Sequence, residues 1–279
     1  MTENNIHINN CKQDISTNPK MTVVTVTYNA ESCLEKTIKS VISQTYNNIE
    51  YIIIDGGSKD KTVDIIKKYK EKLAYWVSEP DGGIYFGMNK GIQAATGDYL
   101  LFMNADDIFY TPDIISKTVD AIKSSDFPDA IYGDVIEETE YGIFRKQTKD
   151  IKEMSVHMAI SHQTIFIKTS LLKDRPFDTQ YKYAADFEML SYFYNNGYRF
   201  VYSGLVVAVM VIMAGTTYNN YIASVNEHYS LLLKRGIDLT KERDKLLFKK
   251  KLVRIVKSCL PNFIKKPLFK FIAKHYKAL

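Results

Sequence analysis

The stretch Thr96-Gly-Asp-Tyr-Leu-Leu-Phe-Met-Asn-Ala-Asp-Asp107 decides how this chain is read. An apolar strand runs straight into two adjacent carboxylates, with no lysine or arginine beside them in sequence. Such a strand belongs inside a sheet, so Asp106 and Asp107 stand at its mouth. Neighbouring carboxylates repel each other unless a cation or hydrogen-bond donors offset them. The simplest cation is a divalent metal with hard oxygen ligands, which in turn suits a phosphate-bearing ligand. The alternative is a pair of caps in a surface turn, where Asp is common.

Working outward, the same alternation of strand and helix recurs. Met21 to Tyr28 reads as a β-branched strand, and Cys33 to Ser43 as a helix with Leu34, Ile38, Val41 and Ile42 on one face. Glu50 to Ile54 is a second strand, Lys61 to Tyr69 a helix, Tyr75 to Val77 a short strand and Phe86 to Ala95 a helix. Tyr99 to Met103 then leads into the aspartates. Strands alternating with helices of about a dozen residues predict an α/β fold with a mostly parallel sheet. Ligands collect at the carboxyl ends of such strands, where Asn29, Asp55, Glu79 and Asp106 all fall.

Beyond the helix of Pro112 to Ser124 the pattern changes. Ala130 to Glu137 and Ile143 to Thr148 predict a hairpin, His162 to Ile167 a strand and Ala185 to Asn195 a helix ended by Gly197. Tyr198 to Ala214 reads as extended chain interrupted by Gly204, and the apolar run Leu205 to Ala214 as a buried strand. That run is about half the length needed to span a bilayer.

Three widely spaced cysteines, Cys11, Cys33 and Cys259, form neither a disulfide framework nor a zinc pattern. The first twenty residues are polar and Asn-rich, so no signal peptide is expected and the cytoplasm is the expected compartment. The charge is segregated. Residues 241–279 carry 13 basic against 2 acidic groups, whereas residues 1–240 carry 24 against 30. An acidic body with a basic tail implies different partners for the two parts.

Two further segments bear on chemistry. Asp55-Gly56-Gly57-Ser58 closes the second strand, where an Asp can accept from a ribose hydroxyl or a base N–H; Asp-Gly is also an ordinary turn. The polar end of Thr25-Val-Thr-Tyr-Asn29 either flanks a nucleotide or caps the following helix.

Val-Thr-Tyr-Asn-Ala (26–30), Ser-Val-Ile-Ser-Gln-Thr-Tyr (40–46), Ile-Asp-Gly-Gly-Ser-Lys-Asp-Lys-Thr (54–62) and Ser-Glu-Pro-Asp-Gly-Gly-Ile-Tyr (78–85) occur in order. Met-Asn-Lys-Gly-Ile (88–92), Ala-Thr-Gly-Asp-Tyr (95–99) and Asn-Ala-Asp-Asp (104–107) follow. Together these segments resemble the family 2 glycosyltransferases of the GT-A fold, almost continuously over residues 21–110. The resemblance implies an inverting, metal-dependent hexosyltransferase with a nucleotide-diphosphate-sugar donor, a UDP-sugar being favoured. It places Thr27, Tyr28, Asn29 and Asp55 around the nucleoside. Asn104 and Asp106 match the Asp-x-Asp metal motif, with Asn in its first place. Asp106 is then the metal ligand, for Mn or Mg, and Asp107 orients the sugar or the metal's surroundings. Lys90 lies near the diphosphate or is a solvated helix lysine.

An inverting transfer needs a base for the acceptor hydroxyl. Tyr183-Ala-Ala-Asp-Phe-Glu-Met-Leu190 resembles the family's second signature, which makes Asp186 the base, with Glu188 as runner-up on a different helix face. The alternative for Asp186 is a helix cap. His162-Gln163 reads as acceptor-pocket lining, or as a surface histidine. Gly215-Thr216-Thr217 resembles the loop that closes over the donor, with Ala214 where a second Gly is usual. Phe86 departs from the family, which commonly has Asp there; this bears on donor choice.

The expected organisation is a flexible segment at 1–20, a GT-A domain at 21–240 and basic amphipathic helices at 241–279. The domain divides into a nucleotide-sugar half, 21–110, and an acceptor half, 111–240. In the tail, Phe248, Leu252, Ile255 and Cys259 share one helical stripe opposite Lys250, Arg254 and Lys257. Such a helix suits an anionic membrane surface; the alternative is a helix packed on the domain. No nucleic-acid-binding motif accompanies the charge. The reading that follows is transfer of a sugar to a saccharide or lipid-linked saccharide in surface polysaccharide synthesis, at the inner face of the membrane. The alternatives are a nucleotidyltransferase, which would favour a Gly- and Lys/Arg-rich loop that Tyr28-Asn29-Ala30-Glu31 does not supply, and a degenerate sugar-nucleotide-binding scaffold.

Overall fold

Seven consecutive buried residues, Met21–Thr27 (β1), anchor the sheet. The computed structural model describes residues 17–139, 142–148, 150–211 and 220–259. On one side β1 pairs in parallel with Ile49–Asp55 (β2), which pairs with Tyr75–Ser78 (β3); on the other it pairs with Tyr99–Phe102 (β4). Every residue of β1 and β4 is buried, so both read as unbroken apolar runs rather than alternating ones. Alternate residues serve two cores. Val24, Val26, Ile52, Ile54, Leu100 and Phe102 face one, and Met21, Val23, Tyr51, Ile53, Tyr99 and Leu101 the other.

The helices cover these faces with their apolar stripes. Leu34–Ile42 (α1) buries Leu34, Ile38 and Val41 at helical spacing. Thr62–Lys68 (α2) and Ile84–Ala94 (α3) follow the second and third strands. After β4 come the two-residue strand Ile108–Phe109 (β5) and Ile114–Ser124 (α4). The second half adds Ala130–Thr139 (β6), Gly142–Lys146 (β7), Ile165–Lys168 (β8), Thr169–Asp174 (α5), Ala185–Asn195 (α6) and Phe200–Val211 (β9). Two further helices, Tyr221–Lys234 (α7) and Thr240–Cys259 (α8), complete the described chain. The sheet runs β3-β2-β1-β4-β8-β6-β9-β5, with β7 paired to β6. β8 is antiparallel to both neighbours, so the direction of the sheet reverses beside β4. That junction brings residues of the second half to the end of the aspartate strand.

The strands and helices of residues 21–124 form where expected, and the predicted hairpin is β6–β7. Three details differ. His162–Thr164 is a turn of 3₁₀ helix, and the strand starts only at Ile165. Among the described residues of the apolar run from Leu205, 205–211, only Val207 and Ala208 are fully buried. The register of β9 on β6 slips at Tyr132 to Val135, and Gly204 there has φ +71°, a conformation suited to a residue without Cβ. Finally, the body begins before residue 21. The Tyr46 hydroxyl donates to Asn18 and to the Pro19 carbonyl, and Lys20 N–H donates to Asp98 at 2.7 Å.

Candidate active site

The register sets out the first part of the site. Thr27 lies opposite Asp55, and Asp55 opposite Ser78, so three polar residues line up where β1, β2 and β3 end. Asp55 is fully buried. Its Oδ2 accepts from Gly57 N–H, Ser58 N–H and the Ser78 hydroxyl, and Oδ1 takes only the Ser58 hydroxyl. A carboxylate has about four acceptor positions, so Oδ1 keeps capacity for a ligand. Gly57 adopts φ +81°, and a Cβ there would meet the Pro80 nitrogen at 2.9 Å; only glycine lets these loops approach.

Asn29 sits at φ +49° and ties the two loops together. Its N–H donates to Ser58 Oγ and its Oδ1 accepts from Lys59 N–H, both at 2.8 Å. Tyr28 stands 62% exposed beside it, an aromatic ring offered at the rim. Asp81 joins these loops as well, without a marked signal of its own in the sequence. Its carboxylate accepts from Gly83 N–H and lies against the positions where Gly56 and Gly87 lack side chains. Its only signal was membership of the Glu-Pro-Asp-Gly-Gly segment. Lys90 does not join this group: its ammonium is bound to Glu79 at 2.9 Å. With Phe86, whose ring packs over Gly82, it lines a groove of about 860 Å³ beside β3.

The second part is the loop after β4. Asp106 adopts φ +87°, uncommon for any residue with a side chain. Fully buried Thr37 on α1 clamps the loop, accepting from Asp106 N–H at 3.1 Å and donating to the Asp107 carbonyl at 2.9 Å. Neither carboxylate makes an ion pair with Lys or Arg among the described residues. Asp107 is buried. Burial, helped by the charge of Asp106, pushes its pKa up to about 7, while His162 and Gln163 hold it down.

The third part arrives from the second half. His162 faces both sequence-assigned regions: its Nε2 lies 3.1 Å from Asn104 Nδ2 and its Nδ1 lies 3.5 Å from Asp186 Oδ2. With the Asn104 amide as donor, Nε2 accepts and the ring proton sits on Nδ1, toward Asp186. Burial alone would lower the His162 pKa, but Asp186 and Asp107 outweigh it and hold the imidazole above its ordinary value. Asp186, in the first turn of α6, accepts through Oδ1 from the Tyr85 hydroxyl at 3.0 Å and from Phe187 N–H. Glu188 points elsewhere, held by Arg175 at 2.6 Å and Arg235 at 3.4 Å. The Gly215-Thr216-Thr217 loop lies outside the described residues.

Four buried side-chain polar atoms of the described residues lack a partner; two are Thr27 Oγ1 and Asn104 Oδ1. Buried groups are seldom left so, and an orphan pair at the mouth of a sheet marks a place for a ligand. No group of three His, Cys, Asp or Glu suited to a metal occurs among the described residues. A metal that serves a diphosphate does not need one, because phosphate and water supply most of its ligands. Asn104 Oδ1 and the Asp106 carboxylate are hard oxygen donors of the kind such an ion takes, so the residues fit the group.

A profile described as glycosyl transferase family 2 matches residues 22–175, more than half of the chain. An uncharacterised glycosyltransferase of Mycobacterium tuberculosis is 35% identical over 184 residues, covering 62% of this chain and 68% of that protein. A PGL/p-HBAD biosynthesis glycosyltransferase of Mycobacterium bovis is 31% identical over 178 residues, covering 61% and 68%. The chain belongs to glycosyl transferase family 2. Among solved structures, S. aureus TarS in complex with UDP-GlcNAc aligns with TM-score 0.60 at 20% identity, over 77% of this chain and 66% of that one. The mannosyltransferase PcManGT from Pyrobaculum calidifontis, in complex with GDP-Man and Mn2+, aligns with TM-score 0.59 at 21% identity, over 79% and 67%. These likenesses show the GT-A fold.

Proposed function

We propose that the protein transfers a sugar, with inversion, from a nucleotide-diphosphate donor to a saccharide or lipid-linked saccharide acceptor in surface polysaccharide synthesis. The observation that carries this reading is the chain of contacts from Asn104 through His162 to Asp186 and Tyr85, which joins the metal motif to a carboxylate free to act as base. The neighbours' complexes with UDP-GlcNAc and with GDP-Man and Mn2+ support a nucleotide-sugar donor and a divalent metal. A UDP-sugar is our favoured donor.

In this reading Thr27, Tyr28, Asn29 and Asp55 hold the nucleoside, Tyr28 by its exposed ring and Thr27 by its unpartnered hydroxyl. Asn104 Oδ1 and Asp106 would hold the metal, Mn or Mg. Bound there, it would neutralise charge developing on the departing diphosphate. Asp107 orients the sugar. The acceptor oxygen attacks the anomeric carbon as the bond to the diphosphate breaks, and its proton passes to Asp186. The leaving oxygen takes the electron pair of the broken bond. Tyr85 and Phe187 N–H fix Oδ1, which leaves Oδ2, on the His162 side, to take the proton. Lys90, bound to Glu79 in the groove beside β3, takes no part in this reading.

The C-terminal part is assigned to an anionic membrane surface at the cytoplasmic face. Among the described residues no helix is long and apolar enough to cross a membrane. Phe248 and Leu252 are exposed on α8 among lysines, which supports a peripheral mode of binding.

Thermal stabilisation by nucleoside diphosphates tests the donor site, measured with and without Mn2+ on wild type and Asp106→Ala. Ligand that binds only the native state raises the melting temperature. The expected result is a Mn2+-dependent rise for one base, absent in the variant. Identical curves under all conditions would favour the degenerate scaffold.

A further inference from the structure

Helix α6 has no cap of its own. The residue at its N-cap position is Ala184, whose methyl group accepts no hydrogen bond, and neither Lys182 nor Tyr183 before it is one of the short polar residues that cap helices. The amides there are met from another element. Glu227 on α7 accepts from Lys182 N–H through Oε1 at 2.8 Å, and through Oε2 from Tyr183 N–H and from Ala184 N–H at 2.9 Å. One carboxylate thus gathers three successive backbone amides at the entry to the helix. Its charge also complements the positive end of the helix dipole.

The grip is reinforced along α7. His228 packs its ring 4.2 Å from that of Phe187, the residue after Asp186. Arg235 donates to Ser191 Oγ at 2.7 Å and to the Glu188 carbonyl at 3.3 Å, one turn and more further down α6. The family profile ends at residue 175, so this arrangement lies outside it.

We propose that Glu227 is a positioning residue for the base: by gathering the amides of 182–184 it sets where α6 begins, and so where the Asp186 carboxylate stands relative to Tyr85 and His162. The inference rests on the assignment of Asp186 as base. It acts through the backbone, two residues upstream of that carboxylate. A displacement of about 1 Å in a reacting group can cost about 10²-fold in rate, which makes such an anchor consequential.

The test uses the full chain with UDP-glucose, UDP-N-acetylglucosamine and GDP-mannose in the presence of Mn2+, reading release of nucleoside diphosphate with water as acceptor. Glu227→Ala is expected to lower kcat by about 10²-fold with donor KM within about twofold. Glu227→Gln, which keeps the size and one acceptor oxygen, falls between and carries the test if the alanine variant does not fold. In an Asp186→Asn background the Glu227 substitutions should cost almost nothing further, since residues acting as a unit are non-additive. Hydrogen exchange should accelerate at the amides of 182–187. Equal losses in both backgrounds, a wild-type kcat in the Glu227 variants beside an inactive Asp186→Asn, or unchanged exchange at 182–187 would each overturn the proposal. A wild-type rate in Asp186→Asn alone would instead overturn the base assignment on which it rests.

Discussion

The Tyr85 hydroxyl donates to Asp186 Oδ1 at 3.0 Å, across 101 residues of sequence, and so ties α3 to the helix that carries the candidate base. Burial, together with the Asp186 charge, raises the tyrosine's pKa well above its ordinary value, so it stays a donor at every working pH. Replacing it by Phe leaves Oδ1 with Phe187 N–H alone and frees the carboxylate to turn. Tyr85→Phe is expected to lower kcat by about tenfold while nucleotide affinity holds, with a stability loss of about 1 kcal/mol for the hydrogen bond. Steady-state kinetics beside nucleotide titration checks this; equal losses in both would show a donor-site role instead.

The two carboxylates of α6 separate by environment. Asp186 faces Tyr85 and His162, whereas Glu188 is held by Arg175 and Arg235. Asp186→Asn should remove about 10²–10⁴-fold of the rate, the usual contribution of a general base. Glu188→Gln should leave turnover near wild type and lower the melting temperature, because it leaves two guanidinium groups without their charge partner. Rates and melting curves for both variants decide the matter; the reverse pattern would transfer the base role to Glu188.

How far the sequence carried this reading differs between its parts. The sheet of residues 21–103 was legible because its strands are continuous apolar runs and its helices show clean stripes, Leu34-Ile38-Val41 being one. The polar strand ends at Asn29, Asp55, Glu79 and Asp106 were legible from where the apolar runs stop, whereas Ser78 opposite Asp55 emerges only from the register. The clamp of Thr37 on the aspartate loop was not legible. A fully buried threonine between Lys36 and Ile38 has no periodicity of its own, and its partners lie 69 and 70 residues away. The same holds for Glu227, whose role depends on how α7 crosses α6. The sequence around Lys90 fits a diphosphate contact and a solvated helix lysine equally, and the structure gives it Glu79 as partner. The strand expected at His162 failed at its first three residues, which turn as 3₁₀ helix and aim the imidazole at Asp186.

Stability should depend on acid through Glu50. This carboxylate is buried at the amino-terminal end of β2, and burial alone would raise its pKa. Bonds from the Lys20 ammonium, from Thr96 and from the Thr22 hydroxyl outweigh that and bring it to about 2. A folded-state value below the unfolded one contributes stability that is present above the unfolded pKa and is lost as pH falls from about 4.5 toward 2. The difference corresponds to roughly 3 kcal/mol. Glu50→Gln should therefore lose stability at neutral pH and show a shallower decline in acid. Urea unfolding of both proteins from neutral to acid pH reads this out, and parallel pH profiles would refute it.

The described part of α8 makes a separate prediction. Phe248 is 68% exposed and Leu252 50% exposed, four residues apart on a helix that also carries Lys241, Lys245 and Lys251. Apolar side chains left in water beside basic ones gain from an interface that offers acyl chains and anionic headgroups together. The full chain should sediment with vesicles rich in phosphatidylserine and not with phosphatidylcholine vesicles. Because each lysine near such a surface contributes about 1 kcal/mol and that attraction is screened by ions, high salt should release the protein. Replacing Phe248 and Leu252 together by Ser should weaken binding even at low salt, while the nucleotide-induced melting shift stays intact. If the double variant binds as wild type does, the lysines act alone and the apolar stripe has another partner. If neither protein sediments with anionic vesicles, the helix does not serve a membrane surface and the peripheral assignment falls, with the donor site and the base untouched.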